Sequence, residues 1–227
     1  MEFFETLQRR RSVRKYTSKP VPPDIMQKIL DAALLAPNSS NMQTWEFYWV
    51  RSPQKRELLI KACLNQNAAR TAQELIVVVA DTSLWKRNSK ALFKIFAERN
   101  EKRMMDYYGK VMPMIYGYRL LSPFKWLFFN ITGLFKPMLR RPWSQRDNTE
   151  VAIKSAALAS ENIMLAAAAL GYDSCPMEGI DEWRIKRLLQ LGCKARITMV
   201  LSIGERAQDG IWGDQVRLPR DWFVKEV

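Results

Sequence analysis

The chain has 227 residues, 48% of them hydrophobic, enough to bury the core of one α+β domain or of a subunit completed by a dimer partner. Histidine is absent altogether, which excludes histidine general bases, Ser-His and Cys-His nucleophile pairs and histidine-built metal sites, so catalysis is either borrowed from a cofactor or absent. The 36 lysines and arginines against 23 acidic residues leave a formal charge of +13, which selects anionic partners: a phosphate-bearing cofactor, NADPH, nucleic acid or an acidic membrane surface.

Met1-Glu2-Phe3-Phe4 shows no basic start followed by an apolar run, and Cys63, Cys175 and Cys193 have no paired spacing; both features are expected of a reducing, cytoplasmic protein. The run Arg9-Arg10-Arg11-Ser12-Val13-Arg14-Lys15-Tyr16 sets guanidinium forks and a hydroxyl close together, the groups that grip a phosphate; alone it also reads as a solvated basic stretch. Pro22-Pro23-Asp24 starts a helix with Asp24 as its cap and Ile25, Ile29, Leu30 and Ala33 recurring on one face, and Pro37 ends it. The loop that follows is dense in amides and hydroxyls suited to a polyhydroxylated or heteroaromatic ligand, or to a simple capping turn. Trp45 to Val50, Ile76 to Ala80 and Ile197 to Ile203 read as strands of a buried sheet. Val151 to Leu170 reads as a long helix whose alanines permit close packing, stopped at Gly171. No repeat or linker marks a second unit, so residues 1–227 are expected to form one domain.

In this order and spacing, the basic run and Ala36-Pro37-Asn38-Ser39-Ser40-Asn41-Met42-Gln43-Thr44-Trp45 resemble the nitroreductase family, whose N-terminus reads roughly RRSxRxF and whose first helix ends in APSSxNxQPW. Gly171-Tyr172-Asp173-Ser174-Cys175-Pro176-Met177-Glu178-Gly179 is similar to the family's loop after the long helix, and Arg217-Leu218-Pro219 to its tail. The resemblance implies an α+β fold with a central mixed or antiparallel sheet flanked by helices, assembled as an intertwined homodimer. It implies FMN bound at the interface and contacted by both subunits. Arg10, Arg11 and Ser12 would hold the phosphate and ribityl end with Arg217, and Arg14 would lie beside the N1/O2 edge of the isoalloxazine. Asn38, Ser39 and Asn41 would reach the flavin of the other subunit. Glu178 and Gly179 would offer backbone groups to N5 and O4, and Gln66 or Asn67, with Arg70 nearby, would meet the pyrimidine edge. The implied reaction passes hydride from NADH or NADPH to a nitroaromatic, quinone or similar acceptor in a ping-pong cycle. It needs orientation and the electrostatic help of Arg14 rather than a side-chain acid or base, and no metal.

Three positions depart from the family's pattern. Asn38 stands where serine is usual, Thr44 replaces the proline before Trp45, and Gln215 occupies a place often held by lysine, a loss that Arg11 or Arg220 is expected to make good. Two other readings stay open. One is a relative of the same fold that uses FMN for reductive dehalogenation or for dehydrogenation; the other is a basic protein that binds nucleic acid or an anionic membrane without chemistry. The leading reading expects a second copy and a small-molecule acceptor as partners, and no nucleic acid.

Residues 84–146 have no counterpart in the resemblance and read as an insertion. Leu84 to Lys110 is charged and helix-prone, whereas Val111 to Trp143 interleaves Phe124, Trp126, Leu127, Phe128, Phe129, Ile131, Leu134, Phe135 and Leu139 with Arg119, Lys125, Lys136, Arg140 and Arg141. Lys125, Pro123, Gly133 and Pro137 interrupt any apolar run of the ~20 residues a membrane span requires. The stretch is expected to close over the flavin as a lid, to lie on an anionic membrane as an interfacial segment, or to do both.

Overall fold

A computed structural model describes residues 2–117 and 122–227; Met1 and Arg119 lie outside them. Four strands, β1 (Trp45–Trp49), β2 (Glu74–Asp81), β3 (Asp173–Met177) and β4 (Ala195–Gly204), form one antiparallel sheet in the order β1-β2-β4-β3. Phe47 pairs with Val78, Val78 with Met199 and Cys175 with Ser202. The architecture is α+β, an antiparallel sheet flanked by helices.

The alternation of β2 divides the core between two faces. Ile76, Val78 and Ala80 join Leu201 and Ile203 of β4 against α2 (Pro23–Leu34) and α9 (Gln145–Ala169). Leu75, Val77 and Val79 face the other way, onto Val13, Tyr16, Leu59 and Ala62 of α3 (Pro53–Ala62) and Ile185 of α10 (Glu182–Leu188). Both faces of the central strand are covered, which is why it reads as an unbroken apolar run. On α9, Ala152, Ala156, Ala159 and Ala167 are buried, and their small side chains let α2 and the sheet approach closely.

Three sequence expectations need correction. Asp24 is not the cap of α2: the cap position is Pro22, and Asp24 sits in the first turn, paired with Lys28 at 3.8 Å. The long helix begins at Gln145, before Val151, because Ser144 and Asp147 close a reciprocal capping box. Part of the segment read as a loop after that helix is strand β3; Pro176 is tolerated there because β3 lies at the sheet edge, where a missing N–H breaks no central ladder. Gly171 does stop α9, at φ +89°, with Tyr172 N donating to Ala167 O.

Short helices α1 (Phe3–Arg9) and α4 (Asn67–Thr71) lie near the N-terminal segment and before β2 respectively. Between β2 and α9 stands a helical layer: α5 (Trp85–Glu98), α6 (Lys102–Asp106), a wide turn at Tyr107–Val111, α7 (Met112–Tyr116) and α8 (Ser122–Phe135). It has its own cluster, in which Leu92, Tyr108, Met112, Ile115, Tyr116 and Trp143 are buried with Met42 from the loop after α2. Phe96 stacks on Tyr108 with ring centroids 5.6 Å apart, and Phe129 on Trp143 at 4.1 Å.

Candidate active site

After α1 the chain runs along the open edge of β3. Val13 N donates to Ser174 O (3.0 Å), Arg14 N to Gly210 O (2.7 Å) and Tyr16 N to Thr71 Oγ1 (3.1 Å). Val13 and Tyr16 are the buried anchors of this run, and the Tyr16 hydroxyl meets Ser202 Oγ at 2.9 Å. Burial raises the Tyr16 phenol well above its ordinary value, so it is a structural hydroxyl. Gly210 permits the close approach: a Cβ there would stand 2.5 Å from Lys15 O and 2.9 Å from Ala207 O.

With Val13 and Tyr16 turned inward, Arg10, Arg11, Ser12 and Arg14 line a cavity of about 250 Å³ together with Trp212, Asp214, Gln215 and Arg217. Arg11 Nη2 donates to Gly213 O at 2.7 Å, a contact between residues 202 positions apart in the chain. Gly213 takes φ +66°, which turns the tail back over the arginines. The Arg14 guanidinium lies 5.4 Å from the centre of the Trp212 ring, and Arg10 Nε stands 3.7 Å from Glu161 on α9. Four guanidinium groups against Asp214 and the nearby Glu161 leave the cavity cationic. Gln215 and Arg11 are in its lining and Arg220 is not.

At the far end of β3, Gln66 Nε2 donates to Gly179 O at 2.8 Å, bringing the mid-chain polar pair against the segment that follows the strand. Among the described residues, the N–H groups of Glu178 and Gly179 have no partner within the chain. Asn67 and Arg70 sit on α4 beside Thr71, the residue that receives Tyr16 N. Burial raises the thiol of Cys175, the Arg14 charge notwithstanding, and pushes that of Cys63 up to about 12; both stay protonated.

Asn38, Ser39 and Asn41 are not brought to this cavity within one chain. Asn38 Oδ1 accepts from Gln43 N (2.8 Å), Ser39 N donates to Ser155 Oγ (3.5 Å), and Ser40 Oγ meets the Tyr107 hydroxyl (2.7 Å). Ser40, Asn41 and Gln43 all take positive φ. Loop and arginine cavity thus touch α9 at Ser155 and Glu161, about two-thirds of a turn apart in phase and therefore on different sides of the helix. Sequence reasoning missed Trp212 and Asp214; a tryptophan between glycines, in Gly210-Ile211-Trp212-Gly213, was the available signal.

The sequence profile of the nitroreductase family matches residues 7–205, so Trp212 to Arg217 lie beyond the matched span. Protein DrgA of Synechocystis is 31% identical over 211 residues, covering 92% of this chain and 86% of DrgA. An NADH dehydrogenase of Thermus thermophilus is 26% identical over 212 residues, covering 93% of this chain and 90% of the relative. A crystal structure of an Exiguobacterium sibiricum protein in complex with FMN superposes with a TM-score of 0.72 at 25% identity, covering 100% of this chain and 98% of that one.

Proposed function

This chain belongs to the nitroreductase family, and from that premise we propose that it is an FMN-dependent oxidoreductase that passes hydride from NADH or NADPH to a small electron-poor acceptor, a nitroaromatic or quinone, in a ping-pong cycle. The observation that carries the reading is the meeting of Arg10, Arg11, Ser12 and Arg14 with Arg217 in one cationic cavity from opposite ends of the chain. The family relationship, the relative named for NADH and the FMN-bound neighbour support the choice of cofactor and donor.

When bound, FMN supplies the two-electron redox chemistry that a chain without histidine lacks. Arg10, Arg11 and Arg217, with the Ser12 hydroxyl, would hold its phosphate and ribityl end through charge-assisted hydrogen bonds. Arg14, braced over Trp212, would place a fixed positive charge beside the ring. The N–H groups of Glu178 and Gly179 are free to donate at the other end, where Gln66 fixes Gly179 through its carbonyl; Asn67 and Arg70, on the adjoining α4, would meet the pyrimidine edge. These residues bind and orient; none of them moves a proton.

The site is completed in a homodimer, with Asn38, Ser39 and Asn41 reaching the other subunit's cavity. Three features support this. The loop lies on the wrong side of α9 to serve its own cavity, and the outer edge of β1 adjoins an open groove of about 650 Å³ lined by Trp45, Phe47, Arg87 and Asn88. The tail after Gly213 leaves Val216, Leu218, Trp222 and Phe223 exposed, an apolar arm suited to a neighbour's surface. Three free cysteines support a reducing, cytoplasmic setting.

Arg14→Ala tests the assignment by potentiometry of the purified flavoprotein. The variant should keep most of its FMN, show a lower reduction potential, and be reduced by NADH roughly tenfold more slowly. An unchanged potential with FMN simply lost would make Arg14 a binding residue. Sedimentation tests the shared site: FMN content should fall as dimers dissociate, and a monomer with stoichiometric FMN would overturn it.

A further inference from the structure

The helix α8 is built inside out. At about 100° per residue, Phe124, Leu127, Phe128, Ile131, Leu134 and Phe135 fall on one continuous arc of about 120°. All six are exposed, Leu134 by 75% and Phe135 by 84%. The opposite face is the one that touches the protein, apart from Trp126, which is exposed on it. Phe129 stacks on Trp143, Lys125 Nζ donates to Met114 O (2.6 Å) and Gly117 O (3.2 Å), and Arg140 Nη2 donates to Gly133 O (2.6 Å). The apolar side of the helix therefore faces away from its own chain.

The charge on α8 and the turn after it has one sign. From residue 122 to residue 140 there is no aspartate or glutamate, while Lys125, Lys136 and Arg140 fall in the same span; Arg141, the next residue, is paired with Asp147 and Glu150 of α9. Lys136 is exposed just beyond the end of α8, and Arg140 is held beside that end by Asn130 Oδ1 (3.1 Å) and Gly133 O. A second copy of this chain is a poor occupant, because a twofold contact through an acid-free face sets cations against cations. The helix has 14 residues, too few to cross a bilayer, and among the described residues the one helix apolar and long enough to do so, α9, has half of its apolar window buried inside the protein.

We propose that α8 docks on an anionic lipid surface, lying in its plane with the Phe124 to Phe135 arc among the acyl chains and Lys136 and Arg140 at the headgroup phosphates. Apolar burial supplies the insertion and the cations supply the preference for anionic lipid.

The test is co-sedimentation of the full-length, FMN-loaded protein with vesicles of phosphatidylcholine alone and of equimolar phosphatidylcholine and phosphatidylglycerol. The protein should pellet with the anionic vesicles, stay in solution with the neutral ones, and be released by high salt. Phe128→Glu with Ile131→Glu, and separately Lys136→Glu with Arg140→Glu, should each weaken partitioning by at least about tenfold. FMN content should be unchanged in both and Tm in the apolar pair; because Arg140 also bonds Asn130 and Gly133, Lys136→Glu alone is the charge variant that leaves those contacts intact, and Leu127→Gln with Leu134→Gln is a milder apolar pair should the glutamates disturb folding. Recovery of the wild type in the supernatant with anionic vesicles, equal binding to both vesicle types, or variants that bind as well as wild type would overturn the proposal. So would variants that alter the sedimentation coefficient without lipid, since that would make the face a contact between protein molecules.

Discussion

Along the β3 edge, Val13 and Tyr16 turn into the core and leave arginines facing outward, whereas α8 turns one phenylalanine inward and leaves seven apolar side chains exposed, six of them on one arc. The first region is fixed by backbone hydrogen bonds to a buried sheet, and the second is held by an aromatic stack and a few lysine and arginine contacts to carbonyl groups. The difference separates two kinds of surface. A polar cavity on a rigid edge keeps its donors in register for a small ligand, and an apolar face on a lightly attached helix suits a fluid, extended partner.

The largest effect expected on the rigid side is loss of the cofactor. Arg10→Ala with Arg11→Ala removes two charge-assisted contacts and should weaken FMN retention by about 100-fold, read as absorbance left on the protein after dialysis. Retention equal to wild type would mean that the cavity is not the phosphate site, and the rigid half of the comparison would lose its functional meaning. Next comes the frame that holds those arginines. Gly210→Ala puts a Cβ 2.5 Å from Lys15 O, a backbone atom that cannot move alone, and should lower stability by about 2 kcal/mol in urea unfolding. A neutral result would show that the Arg14 to Gly210 junction is pliable.

How much of this was legible in the sequence follows the same division. The β2 and β4 runs, α2 and the glycine after α9 were readable because burial on two faces, proline and positive φ leave plain marks in composition, whereas α1, read only as the stretch before a basic run, was not. The edge strand β3 was not, since a five-residue strand containing Pro176 looks like a loop until its pairing with β4 is known. In the site, Arg10, Arg11, Ser12, Arg14 and Arg217 were readable from the resemblance as one group, and they do share a cavity, but Trp212 and Asp214 were not, because it takes the folded tail to bring them there. The aromatic and basic character of the stretch was plain in composition, while which side of α8 faces outward depended on rotation about the helix, which Phe129 and Trp143 set.

The connection between α8 and α9 has a pH signature. Burial pushes the Asp147 carboxyl up, but hydrogen bonds from Trp143 N, Ser144 N and the Ser144 hydroxyl, and the Arg141 charge, outweigh it and hold the group below its ordinary value. A depressed folded value means stability that is complete above the unfolded carboxylate value of about 4 and lost as pH falls through the folded one. Asp147→Ala should therefore cost about 1 kcal/mol at neutral pH and progressively less in acid. Urea midpoints of both proteins across that range decide it; a difference independent of pH would mean that Asp147 acts by packing rather than charge.

The smallest effect expected is on the outward face of α8, and it is the sharpest test of the comparison. Leu127→Gln and Ile131→Gln should each change stability by no more than about 0.5 kcal/mol, because an exposed side chain loses little when it becomes polar. Phe129→Ala, one position away from Phe128 but on the inward side, should cost about 2 kcal/mol, less than a fully buried phenylalanine because its ring is only partly covered. Thermal and urea unfolding of the three variants in lipid-free buffer measure the contrast. If the glutamine variants lost as much as Phe129→Ala, the outer arc would be packed against protein in solution, and α8 would be a piece of core rather than a surface waiting for a partner. If all three were neutral, Phe129 would not anchor the helix, and the orientation that turns the apolar arc outward would have no physical basis.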